Sequence, residues 1–238
     1  MLQRLDKLIA SQGTMSRSET TRLIRSGQVT VDGVVCRDPA AKYDGDVCCI
    51  TVAGKPLDYQ QFVYLMMNKP AGVLCVSRDP RVETVVDLLP PEQKRKGLFP
   101  AGRLDKDTVG LVILTDDGDF AHRMLAPKKH VSKCYHVRLD GPITQADIEA
   151  FQSGITLADG TPCRPAELRL LEGGDEPLAE IIITEGRYHQ IKRMFGTRGL
   201  GVTWLKRVSI GRLQLDPRLA EGESRWLTPD ECAQAFLS

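Results

Sequence analysis

The sequence lacks a strong charge imbalance: its 238 residues carry a formal net charge of +1 at pH 7. That excludes nucleic-acid binding by bulk charge, so any such surface must come from local segregation of cations. It also lacks a run of about 18 apolar residues, so no stretch is read as a membrane span. The opening MLQRLDKLIASQG has charges inside its apolar stretch, unlike a secretory leader. The seven cysteines are odd in number and form no C-x-x-C pair, and adjacent Cys48 and Cys49 are poorly placed to share a metal. Free, mostly packed thiols in a reducing cytoplasm are the expectation. GQVTVDG lacks the Lys-Ser/Thr ending of a phosphate loop, and no G-x-S-x-G accompanies the four histidines. His122, His130 and His136 lack metal spacing, so structural or RNA-proximal roles are expected for them. There is no internal repeat, no low-complexity tract and no basic tail after AFLS. What remains, 42% hydrophobic and 26% charged residues, suits one large or two modest globular domains with a sizeable core.

Residues 1–59 read as one unit. Leu5, Leu8 and Ile9 recur at helical spacing, and Gly13 ends that segment. In SRSETTRLIRSG, Ser16 with Glu19 three residues later is a capping-box signature, and Gly27 stops the helix. QVTVDGVVCRD predicts a hairpin turning at Asp32-Gly33, and YDGDVCCITVAGKPL predicts another strand pair. Residues 1–30 hold five basic residues (Arg4, Lys7, Arg17, Arg22, Arg25) against two acidic ones, a net of +3. Arg17, Arg22 and Arg25 fall within an arc of about 140° on their helix. A solvated face explains that pattern, as does a ridge that contacts phosphates; the helix–turn–helix–hairpin order favours the ridge. RLDKLIA…SRSETTRLIRSGQVTVDGVV resembles the small alpha-L RNA-binding domain shared by a small-subunit ribosomal protein and several RNA-modifying enzymes, which implies structured RNA as a partner.

LDYQQ, residues 57–61, reads as a linker. Residues 62–238 then show strand-like runs (FVYLMMNK, LVILT, CYHVRL, AELRLL, AEIIIT, LQL) and fewer helical patterns, at 144–153 and 190–198. RLLEGGDEPLAEI predicts a hairpin turning at Gly173-Gly174. The expected fold class is α+β: the small N-terminal domain followed by a domain on a large mixed, mainly antiparallel β-sheet.

In AGRLDKDTVGLVILTDDGDF, residues 101–120, Asp105 precedes an apolar run that reads as a fully buried strand. A carboxylate there is a general base, a nucleophile, a metal ligand or an ion-pair partner. Half-buried, it needs a partner or its pKa rises. TEGRYHQIKRMF, residues 184–195, runs from a strand into a helix, and Lys192 borders the apolar face of Ile191, Met194 and Phe195. Lys192 is therefore the expected partner of Asp105, which leaves Arg103 to face RNA. Thr108, Gly110 and Gly118 read as structural, and the acidic cluster 116–119 as a solvated turn rather than a metal site.

Four ordered segments, MNKPAGVLC (67–75), GRLDKDTVGLVILTDDG, KCYHV (133–137) and TEGRYHQIKRMF, together resemble the RsuA-type pseudouridine synthases. These enzymes isomerise uridine in RNA by breaking the bond between ribose and base nitrogen, turning the uracil and rejoining it through carbon 5. The resemblance implies no cofactor and no metal. It implies catalytic roles for Asp105, acting at ribose carbon 1′ or by deprotonating carbon 2′, for Tyr135, stacked on the uracil, and for Lys192, which would lower the carboxylate pKa. It implies that Arg103 helps to extrude the target nucleotide. Asn68 and Lys69 are expected to be structural or RNA-contacting. Arg187 joins Arg103 and the five N-terminal cations as an expected RNA contact.

Chain length, the N-terminal domain and residues around 126–134 favour 16S rRNA, in a small-subunit assembly intermediate, over 23S rRNA. A non-catalytic RNA-binding assembly factor and a carboxylate-pair glycosidase are the other classes; intact Asp105, Tyr135 and Lys192 speak against the first. A cytoplasmic monomer is expected.

Overall fold

The structure, a computed structural model, describes residues 2–13, 15–126 and 130–237. Residues 127–129, within the 126–134 segment weighed above, lie outside them. The chain forms two compact units, Met1–Val63 with Pro90–Leu98 and Tyr64–Leu89 with Phe99–Ser238. The predicted linker is tied down within the first unit. Arg95 donates from Nη1 to the Gln60 carbonyl (2.8 Å) and from Nη2 to the Gln61 carbonyl (3.0 Å).

The first unit comprises β1 (Gln3–Arg4), α1 (Leu5–Ala10), α2 (Arg17–Arg25), β2 (Val29–Val31), β3 (Val34–Val35), β4 (Lys42–Tyr43), β5 (Ile50–Val52) and β6 (Lys55–Pro56). Its local chemistry follows the sequence. Ser16 Oγ accepts from the Glu19 amide (3.3 Å), and Glu19 Oε2 accepts from the Ser16 amide (2.8 Å). This capping box starts α2, and Gly27, at φ 78°, follows its end. Asp32 and Gly33 both have positive φ, as the turn between β2 and β3 requires. Leu5, Leu8, Ile9, Ile24, Val29 and Ile50 are buried together beneath the two helices and the β3-β2-β5-β6 sheet.

The second unit comprises β7 (Tyr64–Lys69), β8 (Phe99–Pro100), β9 (Val109–Thr115), α3 (Gly118–Leu125), β10 (Lys133–Leu139), α4 (Gln145–Ser153), β11 (Glu167–Glu172), β12 (Leu178–Ile183), α5 (Gln190–Gly196), β13 (Val202–Ile210), β14 (Leu213–Gln214), β15 (Ser224–Trp226) and α6 (Pro229–Gln234). Seven strands line up as β11-β12-β10-β13-β9-β7-β15, with β14 on β13 and β8 on β9. Among the described residues, only β9 and β13 pair in parallel in this sheet; its other pairings are antiparallel. The fold is thus α+β on a mixed, mainly antiparallel sheet. All seven residues of β9 are buried, the continuous apolar run of a strand covered on both faces.

Two elements depart from the sequence reading. Residues 116–119 are a solvated turn only in part: Gly118 and Asp119 are exposed, but Asp117 is buried and caps α3, its Oδ1 accepting from the amides of Asp119 and Phe120 (3.0 Å each). Its Oδ2 accepts from the Tyr64 hydroxyl (2.7 Å). The nine-residue β13 is hidden in sequence because its centre is Lys206-Arg207 and because a register shift opposite Cys134/Tyr135 breaks its alternation.

Candidate active site

Asp105 sits in a turn, residues 105–108, that leads into β9; the Thr108 amide donates to the Asp105 carbonyl (3.2 Å). Lys69, at the end of the neighbouring strand β7, is fully buried beneath this turn. Its Nζ donates to the carbonyls of Pro70 (2.9 Å), Lys106 (3.1 Å) and Thr108 (2.9 Å), using all three N–H groups of an ammonium. Burial pushes the Lys69 pKa down, while nearby Cys75, Asp107 and Asp105 oppose that. Upstream, the Cys75 thiol donates to the Gly102 carbonyl (3.5 Å). Downstream, Gly110 has φ 100°, and a Cβ there would lie 2.3 Å from the Arg207 carbonyl oxygen, so only glycine lets β9 approach β13. The structural readings of Lys69, Thr108 and Gly110 hold.

The turn forms one wall of a cleft of about 910 Å³ within the second unit. Asp105, Arg103, Tyr135, Arg187 and Lys192 all line it, so segments far apart in sequence converge there. Tyr135 is 7% exposed and lies in β10, its register partner in β13 being Arg207. Alternation along β10 puts Lys133 on the face of Tyr135. Lys133 Nζ donates to the Val131 carbonyl (2.9 Å), and burial, aided by the charge of Arg207, pushes its pKa down to about 8. Arg207 is also buried; its Nε donates to the Leu111 carbonyl (2.8 Å), and its Nη2 has no hydrogen-bond partner among the described residues. The sequence reading missed both buried cations. The spacing of Lys133 from Tyr135 was the available signal for the first.

The expected ion pair is not the one formed. Lys192 donates to the two carboxylate oxygens of Asp107, at 2.6 and 2.5 Å, rather than pairing with Asp105. Lys192 at the edge of α5 meets the corner of the 105–108 turn, where the Asp107 side chain is 71% exposed. The Lys192 hydrogen bond holds the Asp107 carboxyl below its ordinary range. Asp105 instead faces His189, whose Nε2 lies 3.6 Å from its Oδ1.

His189 belongs to a loop fixed from within. Gln190, 4% exposed, accepts at Oε1 from the Arg187 amide (3.0 Å) and donates from Nε2 to Glu185 Oε1 (2.9 Å). Arg187 Nε donates to Glu185 Oε2 (3.3 Å). His189 itself is left-handed (φ 49°, ψ 35°), an uncommon state for a residue with a side chain.

In the first unit, Arg4 and Arg17 both bond the buried carboxylate of Asp6, at 2.8 and 3.3 Å. Arg4 chiefly, with Arg17, holds that carboxyl below its ordinary range against the effect of burial. Lys7, Arg22 and Arg25 are exposed. Among the described residues, no group of three or more His, Cys, Asp or Glu side chains could hold a metal ion, and no helix is long and apolar enough to cross a membrane.

Two family models match the chain: "S4 domain" over residues 3–46 and "RNA pseudouridylate synthase" over residues 63–197. A relative from Bacillus subtilis strain 168, described as "Uncharacterized RNA pseudouridine synthase YtzG", is 48% identical over 96% of both chains. One from Escherichia coli K12, "Ribosomal small subunit pseudouridine synthase A", is 42% identical over 97% of this chain and 98% of its own. A protein of that same description from Vibrio cholerae is 40% identical over 98% and 99%. A solved structure, "Crystal structure of pseudouridylate synthase", superposes with a TM-score of 0.68 at 37% identity, covering 98% of this chain and 99% of the other.

Proposed function

The chain belongs to the RNA pseudouridylate synthase family, with an S4 domain at its N-terminus, and from that premise we propose that it converts one uridine of small-subunit (16S) rRNA to pseudouridine. The observation that carries the reading is the meeting of Asp105, on a turn held from below by Lys69, with the flat ring of Tyr135 in one cleft. A uridine flipped out of its stack presents its ribose to the carboxylate while the uracil lies against the tyrosine. Flipping costs a few kcal/mol of unstacking; Arg103 and Arg187, cations that line the cleft, offset part of it by contact with phosphate. Asp105 acts at the glycosidic carbon or at carbon 2′, and Tyr135 holds the uracil flat while it turns and assists loss of the carbon 5 proton. Lys192, through Asp107, keeps a cation at the rim.

The relatives named for the small ribosomal subunit support 16S over 23S rRNA. The exposed cations Lys7, Arg22 and Arg25 supply the phosphate-facing ridge of the S4 domain, with Arg4 and Arg17 partly committed to Asp6. We place the enzyme in the cytoplasm, as a monomer acting on an assembly intermediate. Pseudouridine mapping of both rRNAs from cells lacking the protein tests this. One position in 16S rRNA loses its signal, and wild-type protein restores it whereas Asp105→Asn, with unchanged RNA affinity, does not. Restoration by Asp105→Asn, or loss of a 23S position instead, overturns the proposal.

A further inference from the structure

We infer that Tyr188 is a stacking platform for the base of a nucleotide adjacent to the uridine that enters the cleft. The inference rests on the pseudouridine reading of the cleft and adds a residue that sets how RNA is held there. Tyr188 is 76% exposed yet lines the same cleft as Asp105. A solitary exposed aromatic is ordinary on a protein surface. This one is not solitary: its ring stacks on the imidazole of His189, centroids 3.9 Å apart and planes 17° from parallel. One face is thereby covered, and the high exposure leaves the other open to a second flat ring.

The platform is built without RNA. Left-handed backbone at His189 turns that ring back against its neighbour, and Gln190 fastens the loop through Arg187 and Glu185. Arg193 Nη1 lies 3.5 Å from the Tyr188 carbonyl. Rigidity matters because ordering a loose aromatic on binding would consume part of the stacking energy. The surroundings select the occupant. Arg103, Arg164, Arg187 and Lys192 line the same cleft, so a chain of phosphates is attracted while an uncharged planar base is what the ring itself accepts. Because His189 also lies 3.6 Å from Asp105, the stacked base and the reacting uridine are neighbours along one short stretch of strand.

The test is steady-state turnover and direct binding of a small-subunit rRNA transcript with full-length protein. Tyr188→Ala raises KM and the Kd for that RNA together by roughly 10- to 100-fold, the range of a lost base–aromatic stack, and leaves kcat within about threefold. Tyr188→Phe, which keeps the ring and drops the hydroxyl, restores both, and Tyr188→Trp binds at least as tightly as wild type. A merely structural role, felt through His189 on Asp105, would lower kcat and leave Kd alone; that result overturns the inference, as does an unchanged KM and Kd for Tyr188→Ala. Absence of pseudouridine from the wild-type reaction refutes the functional proposal instead. The Kd series still decides the platform in that event.

Discussion

Two lysines grip the same four-residue turn from opposite sides, and they do so by different physics. From below, Lys69 is fully buried and spends its three N–H groups on backbone carbonyls, two of them within the 105–108 turn. From the rim, Lys192 meets a side chain, Asp107, that is largely in water. The buried Thr108 carbonyl, stripped of its donor, has no solvent to turn to, whereas an exposed ion pair exchanges protein contacts for water at little net cost. The lower grip therefore sets where the backbone of Asp105 lies, and the upper one tunes charge at the mouth of the cleft.

Breaking the lower grip has the largest expected effect. Lys69→Met keeps the length of the side chain but takes the donor from the buried Thr108 carbonyl and from the Pro70 carbonyl, while the Gly72 amide still serves Lys106, at a cost of roughly 2 kcal/mol. With the turn loosened, turnover falls by about 100-fold, the scale of an ångström-sized misplacement. Denaturant unfolding together with single-turnover kinetics reads both; full activity in this variant would show that the turn holds itself.

Lys133 sharpens the same contrast through pH. Its folded pKa of about 8 lies below the ordinary 10.5 because burial penalises the charged form. The sign follows: below pH 8 the ammonium is buried at full cost, and as pH climbs from 8 towards 10.5 the folded state sheds its proton first and regains stability. The difference amounts to roughly 3 kcal/mol. Lys133→Met removes that pH-dependent cost together with the bond to the Val131 carbonyl, so its stability relative to wild type falls by up to about that amount between pH 8 and 10.5. Stability curves of the two proteins measured side by side check this; a difference that does not shift with pH would deny Lys133 its lowered pKa.

The smallest effect belongs to the rim. Asp107→Asn removes the partner of Lys192 yet changes stability by less than about 1 kcal/mol and kcat/KM by no more than about threefold. Lys192→Met is the more damaging of the two, since it takes a cation out of the cleft. A larger loss from Asp107→Asn would make the observed pair, rather than the cation alone, the functional unit.

Much of the fold was legible because it is local. The Ser16–Glu19 capping box, the Asp32-Gly33 turn and the apolar run of β9 each state their geometry within a few residues. What escaped was non-local. β13 carries Lys206 and Arg207 at its centre, a pattern that looks like a solvated segment until Arg207 is seen reaching the Leu111 carbonyl of β9. Asp117 looked like part of an acidic turn until its buried cap on α3 and its bond to Tyr64 were in view. In the site, Asp105, Tyr135, Lys192, Arg103 and Arg187 do line one cleft, but the partner assigned to Asp105 was the wrong one.

The sequence by itself determined the elements that carry the cleft residues, since periodicity and turn chemistry act over short distances, and the family likeness of four ordered segments implied that Asp105, Tyr135 and Lys192 meet. Only the tertiary structure decided which charge touches which. Two carboxylates separated by one residue offer Lys192 nearly the same reach. The choice of Asp107 depends on where β7, β9 and α5 set the turn in three dimensions, a matter of a few ångströms that no spacing along the chain encodes.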